Sequence, residues 1–323
     1  MPRTPNAQPY CSFCGADLEQ KLGPVLRRGE MYSLFYCNEC GVGETWPRPD
    51  TETLARLYAP GEYRADEGKR FIAPIEYLFE LHKKWLIWRI GASMRVGRLL
   101  DVGCGSGYLA SLFAGAGWDV TGLERDENTA VHARETYQIP VVTDIADADG
   151  HFDLIMINHV LEHLDNPMML LEECKGRLAA GGKLVVAVPN FGSLQSIVAG
   201  DGWFHLDLPI HLYHFSERGL VTLLSKAGFT VVKRSHADWI QNIYGWLQSL
   251  LNRAGISHNS LYDLLRIKDG ASVLKMQRPA LISLLSCVWA LPLALIGIFV
   301  ERLCRSGGVI RCTAVVAPVE TKK

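Results

Sequence analysis

The stretch Leu99-Leu-Asp-Val-Gly-Cys-Gly-Ser-Gly-Tyr108 constrains this chain more than any other ten residues. The mostly apolar run from Val96 to Val102 reads as a buried parallel strand. It feeds a loop with glycine at 103, 105 and 107, and Tyr108-Leu-Ala-Ser-Leu-Phe113 then takes up a helical pattern. Alternate glycines let the backbone turn sharply and approach a ligand with no Cβ in the way. A second apolar strand, Trp118 to Leu123, ends in Glu124, about twenty residues on, where a carboxylate can accept hydrogen bonds from a ribose. Strand, loop, helix, strand and terminal acid in this order make a nucleoside-binding βαβ unit.

The spacing narrows the nucleoside. A dinucleotide fingerprint is Gly-x-Gly-x-x-Gly, with a pyrophosphate on the helix N-terminus. Here the pattern is Asp101-x-Gly103-x-Gly105-x-Gly107. A carboxylate at the end of the first strand repels a pyrophosphate but suits a cationic ligand, which speaks against a dehydrogenase. The chain here resembles the class I S-adenosylmethionine (SAM)-dependent methyltransferases, whose first motif is Asp-x-Gly-x-Gly-x-Gly. Further along, Val141-Val-Thr-Asp144 resembles that family's third strand, Phe152 to Asn158 the fourth, Lys183 to Pro189 the fifth, Phe229 to Val232 the sixth, and Val309 to Val316 the closing antiparallel strand. A helix is expected from Leu170 to Ala180, ended by Gly181-Gly182, and Ser216 is expected to cap another. The segment His159-Val-Leu-Glu-His163 resembles the one after strand four in ubiquinone- and menaquinone-type methyltransferases.

The resemblance implies an α/β fold, a Rossmann-like seven-stranded sheet with helices on both faces. It implies a SAM site built from Asp101, Gly103, Cys104, Gly105, Gly107, Glu124, Asp144, Asn158 and His159. In-line methyl transfer needs positioning and, for many acceptors, a base. Two clusters at strand ends offer imidazoles: Glu162 with His163, and His211 with His214. Hydrogen bonding at a helix start is the plainer reading of the first cluster and helix capping of the second. The Glu-His pair also resembles part of a divalent-metal site in some related O-methyltransferases, although His159 stands here where they carry a glutamate. The tyrosines of Tyr58-Ala-Pro-Gly-Glu-Tyr63 are cofactor-pocket or loop-packing residues.

Four of nine cysteines are organised, with Tyr10-Cys-Ser-Phe-Cys-Gly15 recurring as Tyr36-Cys-Asn-Glu-Cys-Gly41. Two such knuckles predict a structural zinc held by Cys11, Cys14, Cys37 and Cys40, with redox dithiols as the alternative. The expected organisation is a zinc ribbon over 1–46, a linker with helices over 47–95, a SAM-binding core over 96–237, a hydrophobic helical insertion over 238–308, and a closing strand with tail over 309–323. The linker Trp46-Pro-Arg-Pro-Asp50 is stiffened by proline, and Asp50 or Thr51 is set to cap a short helix.

Leu281 to Val300 carries no charge and is long enough to span a bilayer. Against a span stand the strand at 309–316, which must rejoin the sheet, and basic residues on both flanks: Lys268, Lys275 and Arg278 before, Arg302, Arg305 and Arg311 after. Pro292 predicts a kink or a hairpin. Shallow insertion into one leaflet, a buried hairpin and a subunit interface all remain open. With a formal net charge of −1 and no visible signal peptide, the chain reads as cytoplasmic, peripheral on the cytosolic membrane face, and without the basic footprint of a nucleic-acid binder. The expected function is SAM-dependent O- or C-methylation of a small or lipid-linked acceptor, a quinone precursor or a lipid-linked glycan or sugar. RNA or protein methylation through the ribbon, or a non-catalytic SAM-binding scaffold, are the alternatives.

Overall fold

The computed structural model describes residues 9–57, 73–92, 94–265 and 278–318. The chain begins with three antiparallel strands, β1 (Glu19–Arg27), β2 (Glu30–Tyr36) and β3 (Val42–Trp46), followed by helices α1 (Thr51–Leu57) and α2 (Ala73–Gly91). Asp50 accepts a hydrogen bond from Thr53 N at 2.8 Å and so caps α1. An alternating run follows: β4 (Arg98–Val102), α3 (Tyr108–Gly115), β5 (Asp119–Leu123), α4 (Glu127–Tyr137), β6 (Val141–Val142), β7 (Phe152–Asn158), α5 (Pro167–Arg177) and β8 (Leu178–Pro189). The remainder comprises α6 (Leu194–Ala199), β9 (Tyr213–Phe215), α7 (Glu217–Lys226), β10 (Phe229–Ser235), α8 (Trp239–Arg253), α9 (Ser260–Leu265), α10 (Arg278–Cys304) and β11 (Val309–Val316).

The central sheet runs β10-β11-β8-β7-β4-β5-β6, and only β11 is antiparallel to its neighbours. Both faces are covered, which explains the unbroken apolar runs of its middle strands. On one face Leu100, Val102, Ile155 and Ile157 pack with Leu171 of α5 and Leu220 and Leu224 of α7. On the other, Leu99, Val120, Leu154 and Met156 pack with Leu86 of α2, Phe113 of α3 and Ala130 of α4. Residues 154–157 of β7 are at most 1% exposed, and each such side chain contributes about 1.5–3 kcal/mol by leaving water. The strand order reverses between β4 and β7, so their carboxyl ends border the crevice where open α/β sheets hold ligands.

The ribbon is not folded on its own. Its sheet is β1-β2-β3-β9, and β9 comes from the core segment, pairing Val42 with Phe215, Gly43 with His214 and Glu44 with Tyr213. Cys11, Cys37, Cys40 and Val42 share one buried cluster with Leu212, Phe215 and Leu220. So small a module cannot bury enough surface alone, and the core supplies the missing face.

Two local expectations are corrected. The helix expected over 170–180 lies at Pro167–Arg177, started by Asn166, and strand β8 already begins at Leu178 because that residue pairs with Phe152. Of the kink or hairpin expected at Pro292, the hairpin is absent, for α10 is one helix of 27 residues passing through the proline, about 40 Å long at 1.5 Å per residue. Its inner face is docked on both sides of Pro292. Ser283 meets Ser260, a Cβ on Gly297 would stand 2.6 Å from the Trp246 ring, and Glu301 accepts from Gln195 N at 3.2 Å.

Candidate functional site

The loop after β4 is closed onto β5 by Gly103 N and Cys104 N, which both donate to Leu123 O at 2.7 and 3.1 Å. Two of its glycines are needed by the fold. A Cβ on Gly103 would run into Val160, and one on Gly107 would meet Ala133 at 2.9 Å. Gly105 differs: its φ is +55°, and a Cβ there would find nothing within 4 Å. That open side is where a ligand can lie against bare backbone.

Glu124 is 4% exposed at the end of β5, its Oε2 accepting from Gly105 N and its Oε1 from Asp126 N, both at 3.1 Å. Two backbone amides thus aim the carboxylate toward the loop, where a carboxylate can accept from a hydroxyl donor. Asp101 is 3% exposed, and burial pushes its carboxyl up to about 7, with Lys83 opposing and Glu124 reinforcing the rise. A cation beside it would favour the ionised form, so the pocket fits a positively charged ligand. Asp144 is exposed and caps the turn Ile145–Asp147 through Ala146 N at 2.8 Å. At the end of β7, Asn158 Oδ1 is buried without a hydrogen-bond partner, and His159 holds φ +56°. Left-handed backbone on a residue other than glycine stores strain that often marks a working site.

Glu162, His163 and His211 converge so that one ligand atom from each lies within 4.8 Å of the others. His163 and His211 sit edge to face, ring centroids 4.7 Å apart. A carbonyl can only accept, so Nδ1 carries the proton where His163 meets Ile210 O at 3.3 Å and His211 meets His205 O at 2.9 Å. Nε2 is therefore the acceptor nitrogen of each ring. Glu162 is 1% exposed and neither oxygen has a hydrogen-bond partner; His159 Nδ1 stands 3.4 Å away, out of line. Burial opposes ionisation of Glu162, but the imidazoles of His159, His163 and His211 outweigh it and hold the carboxyl at about 2. Burial, reinforced by His211, pushes His163 down to about 4. At neutral pH the Glu162 carboxylate thus faces the neutral rings of His163 and His211, both lowered chiefly by burial, an arrangement suited to taking up a proton or a cation.

His214 stands apart from this trio. It lies in β9 with Nε2 3.0 Å from Thr45 Oγ1 of the ribbon, while Thr45 donates to His211 O. The ribbon therefore touches the imidazole cluster directly. Sequence reasoning missed Thr45, and also His205, which is 7% exposed with a partnerless Nε2 lying under Gly245 of α8. His205 falls six residues before His211, and that closeness is the signal it carries in the sequence. Tyr58 and Tyr63 lie outside the described residues.

In the ribbon, the sulfurs of Cys11, Cys14, Cys37 and Cys40 lie within 4.8 Å of one another, with Cys11–Cys40 and Cys14–Cys37 at 3.4 Å. Tetrahedral thiolates on one metal at about 2.3 Å stand roughly 3.8 Å apart, and this cluster brackets that value.

A parallel sheet closed by an antiparallel seventh strand, with a glycine loop and two acids at its switch point, defines a class I methyltransferase. The family described as "Methyltransferase domain" matches residues 67–234. A ubiquinone biosynthesis O-methyltransferase of Cereibacter sphaeroides is 30% identical over 48% of this chain and 68% of its own length. A protein of Mycolicibacterium smegmatis named a probable S-adenosylmethionine-dependent methyltransferase is 31% identical over 57% of this chain and 69% of its own. Among solved structures, the [4+2]-cyclase SpnF is 20% identical, with a TM-score of 0.45 covering 73% of this chain and 81% of the other. The chain belongs to the methyltransferase domain family and is a SAM-dependent methyltransferase.

Proposed function

We propose that this enzyme methylates an oxygen or a carbon of a small or lipid-linked acceptor at the cytosolic face of a membrane, and that four cysteines hold a structural zinc. The observation that carries the acceptor reading is α10. It is long and apolar enough to cross a membrane by length and composition, yet its inner face is docked along α8 and α9. Its outer face is apolar and open, with Val288 80% and Phe299 64% exposed. A helix so placed lies in a membrane surface rather than through it. The name of the Cereibacter relative, a ubiquinone biosynthesis enzyme, is in keeping with an apolar acceptor.

SAM supplies an electrophilic methyl group on a sulfonium. In this reading Gly105 gives the donor room, Glu124 accepts from its ribose, Asp144 faces its adenine, and Asp101 offsets its positive charge. As the acceptor O–H attacks, its proton passes to Nε2 of His163 or His211, while Glu162 stabilises the imidazolium that forms. The trio also fits a divalent cation, which Glu162, His163 and His211 would hold and which would make a bound hydroxyl more acidic. The knuckle cysteines fill all four zinc positions, so that metal has no open position for chemistry.

The test of the acceptor is transfer of labelled methyl from SAM into lipid, glycan and RNA fractions of a cell extract. Label in the lipid or lipid-linked glycan fraction is expected; label confined to RNA would overturn the reading. The surface is tested separately by vesicle flotation. Val288→Glu with Ile296→Glu, both on open positions, should weaken flotation by about tenfold or more while leaving SAM affinity unchanged. A full-length protein that stays monomeric without detergent and ignores vesicles would refute membrane docking.

Asp101 makes a pH prediction. Between its ordinary value of 3.8 and about 7 the folded, ligand-free protein holds the proton and the unfolded chain does not. This contribution to stability is therefore lost as pH rises through that window. A cationic donor drives the proton off, so SAM affinity should rise with pH and level above about 7. We expect binding about tenfold weaker at pH 6 than at pH 8, and a flat profile in Asp101→Asn. Calorimetric titration across that range checks both.

A further inference from the structure

Helix α10 turns its small residues toward the protein and its large ones away. The buried positions are Ser283, Ala290, Ala294, Gly297 and Glu301, spaced three, four or seven residues apart and so aligned in one stripe. From Gly297 to the half-buried Cys287 the stripe is about 80° wide, at about 100° per residue. The large residues Leu284, Leu285, Leu291, Leu293, Ile296 and Phe299 are each at least 42% exposed. From Leu291 on one flank to Leu293 on the other, this open apolar arc takes in about 200° of the circumference. No charged residue interrupts it between Arg278 and Glu301.

A helix on a water-soluble body does the reverse, burying its leucines and showing water a polar face. A helix resting among lipid headgroups also keeps one polar face wet, and α10 has none. A second copy of the chain is too narrow a cover. One partner helix, packed as α8 is packed, would hide a stripe of similar width and leave more than half of the open arc in water. Hydrocarbon covers an arc of any width, and within it small residues are the ones that face neighbouring helices. The apolar surface also continues beyond α10. Glu301 joins α10 to α6 through Gln195 N, and on α6 Ile197 is 72% and Val198 45% exposed.

We propose that α10 and the tip of α6 are immersed in the acyl chains of one leaflet, beneath the headgroups, with protein covering the small-residue stripe. This rests on the membrane reading above and fixes which part of the lipid α10 meets.

The test places single glutamates on the full chain and measures flotation with vesicles of phosphatidylglycerol and phosphatidylcholine. Leu285→Glu lies near the centre of the open arc, with Leu291→Glu and Leu293→Glu on its opposite flanks; all three positions are exposed, so the variants should fold. Immersion predicts that each weakens flotation by about tenfold, flanks as much as centre, with SAM affinity unchanged. A loss in Leu285→Glu alone would place α10 at headgroup level, and a loss on one flank alone would indicate a partner helix; either overturns the proposal. A second measurement follows Trp289 fluorescence on vesicles, as the difference between wild type and Trp289→Phe. Bromine at mid-chain should quench it at least about twofold more than bromine beside the headgroup, and the opposite order would overturn the depth. Wild type that never floats would refute the membrane reading and the depth with it, whereas flotation with headgroup-level quenching would refute the depth alone.

Discussion

Gly105→Arg is expected to abolish SAM binding, with an affinity loss on the order of 100-fold or more, while the protein remains folded. At φ +55° an arginine costs only about 1–2 kcal/mol of backbone strain, and nothing of the protein stands within 4 Å of its Cβ. Its side chain would fill the open side of the loop instead. Gly107→Val should do the reverse. There the new side chain meets Ala133 at 2.9 Å and Ile139 at 3.1 Å at φ +81°, so the fold should fail first. Calorimetric titration with SAM, run beside thermal melts, separates the two. Unchanged SAM affinity in Gly105→Arg would remove the loop from the donor site.

The second large effect should follow loss of the zinc proposed for the ribbon. Structural zinc in small modules contributes apparent binding energy on the order of 10 kcal/mol, far more than one hydrogen bond. Cys37→Ser, or a strong chelator, should therefore unthread β3, and with it the pairing of Gly43 with His214 and the contact of Thr45 with His214. Turnover should fall by about tenfold or more, while SAM affinity, set by β4, β5 and β7, stays within about threefold. Metal analysis of protein purified without chelator should find one zinc per chain. Protein without zinc, or a Cys37→Ser variant with full turnover, would refute the coupling.

Much of this was legible in the sequence because it is local. The glycine loop, the acid at Glu124, the β7 run and the Ser216 cap each sit within a few residues of the pattern that announces them. Ser216 Oγ accepts from Gly219 N at 3.1 Å, as its spacing implied. The illegible parts depend on residues far apart. Nothing near Val42 indicates that Phe215 will pair with it, and nothing near Pro292 indicates that α10 will pack along α8. Asp101, Glu124 and the cysteine knuckles stand out by motif. The trio of Glu162, His163 and His211, by contrast, becomes a set only once the chain has folded back from residue 211. His205 and Thr45 carry no motif and are recognised by position alone.

The shared strand β9 also sets a timetable for the growing chain. Each cysteine pair is close in sequence, so the knuckles can capture metal soon after they leave the ribosome. Their sheet must then wait, since Ser216 Oγ donates to Gly41 O across 175 residues. The central sheet waits longer still, because β11 inserts between β10 and β8 only after α10 has been made. Contacts of such separation form slowly and leave edges open meanwhile. For this chain, the interval between synthesis of α10 and insertion of β11 is the period in which an apolar helix and an unpaired β8 edge stand exposed together, and therefore the step at which a chaperone or a membrane surface would matter most.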